Sequence, residues 1–126
     1  MKAYRPVRIL ISADKDNLGS LFVKILLDIG FASKVINRYE SLFYELRGGD
    51  YSVLILTNNS LGPDEIIQLT LQIRHFHEKI KIIVLSGWTE NEFPERIINA
   101  GASFFFPLPF EPDTFLRCVK TILADS

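Results

Sequence analysis

The chain has 126 residues, 48% hydrophobic and 23% charged, with a formal net charge of -1; this fits one globular domain with its own core and gives no overall attraction to nucleic acid or an anionic membrane. The single cysteine, Cys118, excludes an intrachain disulfide framework and a cysteine-based zinc site. No apolar run reaches the roughly 18 residues of a membrane span, and the start MKAYRPVRILISADKD lacks the apolar segment of a signal peptide, so a cytoplasmic location is expected.

Residues 7–12, VRILIS, are short, branched and apolar, as in a buried strand. Asp14 or Asp16 can then cap a helix. Leu18, Leu21, Phe22, Ile25, Leu26 and Ile29 fall on one helical face, and Gly30 ends it. Residues 32–36, ASKVI, read as a short strand, and 40–47, ESLFYELR, as a short helix stopped by Gly48 and Gly49. Residues 51–57 are apolar enough for a central parallel strand. Pro63, Asp64 and Glu65 suit the first turn of the next helix.

A fourth strand is predicted around IKIIVLS, and a shorter helix over 92–100, closing on Gly101. SFFF, residues 103–106, gives a fifth strand. Its three phenylalanines cannot all face one side. The last helix spans about Pro112 to Ala124, with Phe115, Leu116, Val119, Ile122 and Leu123 inward. Alternating strands and helices with short links predict an α/β fold in three layers, a five-stranded parallel sheet with helices on both faces. The whole of 1–126 reads as one domain. Ligands in such folds sit beyond the C-terminal ends of the strands. The loops to question are therefore 12–16, 57–60, 86–88 and 107–110.

With those loops placed, the sequence resembles the response-regulator receiver domain, a CheY-like, flavodoxin-like family, over about residues 7–124. GASFFFPLPFEPDTF resembles the family's last strand and the start of its last helix. VRILISADKD resembles its first strand and acidic pair, YSVLILTNN its phosphoacceptor strand, and IKIIVLSG its fourth strand. The resemblance implies strand order 2-1-3-4-5. It also implies a site in which two acids help hold Mg²⁺, an aspartate accepts a phosphoryl group from a histidine kinase, and a hydroxyl and a lysine contact that group.

Carried over by position, the match is uneven. Ala13 stands at the first acid and Asp14 keeps the second. Thr57 stands at the acceptor, with Asn59 in its loop. Ser86 keeps the hydroxyl. Leu108 replaces the lysine, ahead of Pro109 and Phe110. Magnesium prefers oxygen ligands that include carboxylates, so Mg²⁺ binding is expected to be absent or weak and no cofactor is expected. A threonine hydroxyl needs a base to become a nucleophile, and Leu108 offers no charge to a phosphoryl group. The expected function is that of a degenerate receiver: a protein-interaction or regulatory module in signal transduction, without aspartyl phosphorylation or enzymatic turnover. The alternative is a switch that uses an Asp14/Thr57 pocket for phosphate or a small ligand. The same sheet would fit a flavodoxin-like flavin carrier, but no phosphate-cradling loop supports one.

Ordinary structural roles also fit these residues. Asp14 can cap a helix, Thr57 and Asn59 can satisfy loop backbone, and Ser86 can hydrogen-bond its loop. Cys118, at helical spacing from Phe115 and Ile122, reads as core. His75 and His77 point in different directions on one helix, which opposes a shared metal. Phe105 matches a strand-five aromatic that reorients in signalling receivers, and Trp88 is placed in a loop, partly exposed. The expected partner is a signalling protein or a fused output domain. A homodimer could use the face made by the fourth helix, fifth strand and fifth helix; no nucleic acid or membrane contact is expected.

Overall fold

The computed structural model describes residues 8–13, 16–57, 61–90, 92–109 and 111–124, with residues 16–18 described by their backbone. Five strands alternate with helices: β1 (Ile9–Ser12), α1 (Asp16–Asp28), β2 (Ser33–Ile36), α2 (Leu42–Gly48), β3 (Val53–Thr57), α3 (Pro63–Phe76), β4 (Lys81–Ser86), α4 (Phe93–Asn99), β5 (Phe104–Pro107) and α5 (Pro112–Ala124). All neighbouring strands pair parallel, in the order β2-β1-β3-β4-β5. The expected fold and strand order are both observed.

Alternation along the strands makes two cores. Leu10, Leu54, Leu56, Ile82 and Val84 face α2, α3 and α4, where Leu42, Ile66 and Phe93 close over them. Ile9, Ile11, Ile55, Ile83 and Leu85 face α1 and α5, where Phe22, Leu26, Phe115 and Val119 do the same. The three phenylalanines of β5 divide as the alternation requires. Phe105 meets Phe93 edge-on on the first side, and Phe106 meets Phe115 on the second. Cys118 is half-buried on the α1/α5 side, and burial pushes its thiol pKa up.

Local chemistry sets the helix ends. Gly62 precedes Pro63, and its N–H donates to the Glu65 carboxylate at 2.8 Å, satisfying one free donor of α3. Gly101 lies at φ 122, where a side chain is strained. There its N–H donates to the Ile98 carbonyl and that of Ala102 to the Ile97 carbonyl, the paired bonds of a Schellman stop. Arg74 of α3 donates to the Gly101 carbonyl at 2.8 and 3.1 Å, and to the His77 and Glu78 carbonyls. One guanidinium thus joins the ends of α3 and α4.

Several boundaries and burials differ from expectation. The first and third strands begin two residues later than predicted. Ser52 and Val53 both donate to the Arg8 carbonyl, and the Arg8 guanidinium holds the Ser52 hydroxyl. The second helix opens with a 3-10 turn, Tyr39–Ser41. Leu21, predicted inward, is 47% exposed. It stands about 100° around the helix from Phe22, at the edge of a stripe wider than the sheet covers. Leu116 is only half-buried for the same reason. Among the described residues, no helix is long and apolar enough to cross a membrane.

Candidate functional site

The C-terminal edge of the sheet brings Ala13, Thr57, Ser86 and Leu108 together. Asp14, Asn59 and Phe110 lie outside the described residues. Ala13 directly follows β1 and is buried; its N–H donates to the Ile36 carbonyl at 3.0 Å, extending the pairing with β2. Gly19 of α1 sits over it. A Cβ on Gly19 would lie 2.9 Å from Val35 Cγ1 and 3.6 Å from Ala13 Cβ. The helix therefore packs close on the position where a receiver carries its first acid, and a small apolar side chain fills the gap.

Thr57 is the last residue of β3 and is fully buried. Its hydroxyl donates to the Ser12 carbonyl at 3.0 Å. Its own carbonyl accepts a 2.7 Å hydrogen bond from the Tyr39 phenol. The hydroxyl proton is thus engaged by neighbouring backbone, and among the described residues no carboxylate or imidazole hydrogen-bonds it as a base. Ser86, also fully buried, accepts a hydrogen bond at 2.9 Å from the Trp88 backbone N–H. This is the loop-satisfying role that such a hydroxyl supplies. Trp88 itself is 42% exposed.

Leu108 is drawn onto β4 by its N–H, which donates to the Ser86 carbonyl at 3.0 Å. Its side chain is half-buried against the same apolar layer as Ala13. The Leu108–Pro109 peptide is cis. Where a receiver presents a cation, this chain presents aliphatic surface. Phe105 is half-buried, its ring 5.8 Å from Phe93 and inclined at 70°.

The described part of this edge offers few ligands to Mg²⁺. Ala13 offers no side-chain oxygen, and the Thr57 hydroxyl is buried and already donating, whereas magnesium takes an octahedron of oxygens that usually includes carboxylates. Among the described residues, no three His, Cys, Asp or Glu side chains converge as a metal site. His75 ends in an edge-on contact with Phe76, and His77 caps α3.

Two residues at this edge went unread in the sequence. Tyr39, just ahead of the helix predicted over 40–47, fixes the end of β3 from 18 positions away. Gly19 lay inside a helical pattern, where an isolated glycine signals a close approach; that was the only available hint. A third unread group stands below α2. Lys34 donates to Glu45 at 2.6 Å, and Tyr51 donates to the same carboxylate oxygen at 2.9 Å.

No family model matches the sequence. Solved structures match it over nearly its full length. An orphan response regulator of H. pylori superposes with a TM-score of 0.81 at 19% identity, covering 93% of this chain and 96% of that one. A response regulator from Thermotoga maritima gives 0.83 at 20%, covering 95% and 99%. An atypical orphan response regulator, described as having a phosphorylation-independent regulatory mechanism, gives 0.79 at 19%, covering 93% and 95%. The chain has the fold of response-regulator receiver domains.

Proposed function

We propose that this chain is a receiver-fold interaction module in a signalling pathway, and that it works without aspartyl phosphorylation. The observation that carries this reading is the state of the acceptor position. Thr57 is fully buried, its hydroxyl donates to Ser12, and Leu108 lies beside Ser86 in place of a cation. At these two positions a phosphoryl group would meet neither a carboxylate acceptor nor a lysine to offset its charge. Mg²⁺ binding is weak or absent on the same grounds, and the module carries no turnover of its own. The similar fold of a regulator described as phosphorylation-independent supports the reading.

The output is a contact with another protein: a signalling protein, a fused output domain, or a second copy. The face of α4, β5 and α5 is one candidate surface, since Ile98 and Phe104 stand exposed there at 42% and 40%. Phe105, packed on Phe93, would hold that face in one arrangement. Incubation with a small phosphodonor and Mg²⁺, followed by intact mass, tests the central claim. The mass should not change; a stoichiometric phosphoryl adduct on Thr57 would overturn it.

A further inference from the structure

The ends of α2 and α3 carry a groove that the acceptor edge does not explain. Each crossover helix runs antiparallel to the strands it joins, so the C-terminal ends of α2 and α3, which carry Arg47, Phe76 and His77, lie at the opposite edge of the sheet from Thr57. Phe43 and Arg47 stand one turn apart on α2, and Phe76 and His77 close α3. Together they line an open cavity of about 460 Å³, within the size range of binding pockets. The Phe43 and Phe76 rings meet edge-on at 6.3 Å.

Two features separate this groove from ordinary surface. Phe76 in the groove is 68% exposed, and Tyr44, next to Phe43 in the sequence of α2, is 76% exposed; these are the two most exposed large apolar side chains among the described residues. Neither is needed to fill a core. The groove is also positive. Arg47 makes no ion pair or side-chain hydrogen bond among the described residues, and no acid lines the cavity. Glu45, on the same helix, is already engaged by Lys34 and Tyr51. Beyond Phe76, the adjoining depression carries Asp50, Glu78 and Lys79, of mixed sign.

We propose that this groove docks a partner protein segment bearing an aromatic or leucine side chain beside a carboxylate. The apolar side chain would lie between Phe43 and Phe76, and the carboxylate would meet the Arg47 fork, whose planar donors suit it. Charge complementarity selects this occupant. A second copy docked symmetrically through the same groove would have to set an acid of that patch against Arg47, and none lines it; one arginine on a chain of net charge -1 is a poor nucleic-acid site.

Selection of a random peptide library on the full chain tests the proposal. Enriched peptides should place Asp or Glu next to Phe, Trp or Leu. A synthesised winner should bind about tenfold or more weakly to Phe76→Ala and to Arg47→Glu, the loss expected at an anchor residue. Replacing the peptide's acid by Lys should weaken binding similarly. Both protein substitutions are on the surface, and circular dichroism checks that they fold. No enrichment, enriched peptides without acids, or binding indifferent to Phe76 and Arg47 would overturn the proposal. So would a concentration-dependent dimer in sedimentation that Phe76→Ala abolishes, which would assign the groove to a second copy. None of these outcomes depends on phosphorylation of Thr57, so the failure of one proposal leaves the other standing.

Discussion

The phenol of Tyr39 donates a 2.7 Å hydrogen bond to the Thr57 carbonyl, tying the turn before α2 to the end of β3. Tyr39 packs against the α2/α3/α4 core, so its hydroxyl is aimed by a fixed ring. Tyr39→Phe keeps the ring and removes only the donor. We expect a loss of about 1 kcal/mol in urea denaturation, with faster amide exchange just after Thr57. Unchanged exchange there would show that the bond does not hold the loop.

Thr57→Val and Thr57→Asp separate shape from charge. Valine keeps the volume and leaves the Ser12 carbonyl without its donor, costing about 1 kcal/mol. Aspartate puts an anion beside that carbonyl in a buried position, and should cost more, about 2–4 kcal/mol. Denaturation midpoints of the two variants rank them. An aspartate variant as stable as the parent would mean that the edge accommodates charge.

Phosphoacceptor activity should return only when the missing groups return together. Thr57→Asp alone lacks a cation at position 108 and an acid at 13. Ala13→Asp/Thr57→Asp/Leu108→Lys supplies all three beside the native Asp14. We expect Mg²⁺-dependent labelling by a phosphodonor in the triple variant, and none in Thr57→Asp, by intact mass. Full labelling of the single variant would show that Ala13 and Leu108 are no barrier.

Lys34, Glu45 and Tyr51 give stability two pH edges. The Lys34 ammonium and then the Tyr51 hydroxyl hold the Glu45 carboxyl pKa below its ordinary value. That stabilisation is present above the unfolded carboxylate range and fades as pH falls through the lowered folded value. Burial, and then the Glu45 carboxylate, push the Tyr51 phenol from 10.0 up to about 12. Its contribution is complete below pH 10.0 and is lost as pH rises toward about 12. Glu45→Gln should flatten the acid limb of a stability–pH curve, and Tyr51→Phe the alkaline limb. Lys34 is half-exposed, so the acid effect should shrink in salt.

Much of the fold was legible because strands and helices declare themselves by local periodicity. The branched apolar runs of β1, β3 and β4, the Pro63 start, and the Gly30 and Gly101 stops each depend on a few adjacent residues. The changes at Ala13, Thr57 and Leu108 could be read as well, since position along a strand fixes which residue reaches the sheet's edge. The exposure of Leu21 could not, because the width of an apolar stripe does not tell how far a neighbouring sheet extends.

By itself, the sequence determined five alternating strand–helix units and the absence of the first acid, the acceptor and the lysine from the matched positions. Backbone geometry enforces those periods within a few residues, and residue identity sets charge regardless of packing. Only the tertiary structure decided that Tyr39 caps Thr57, that Gly19 lets α1 close on Ala13, and that Phe43, Arg47, Phe76 and His77 share one groove. Each joins residues far apart in the chain, and their meeting depends on how helices are rotated and seated on the sheet, which no local pattern encodes.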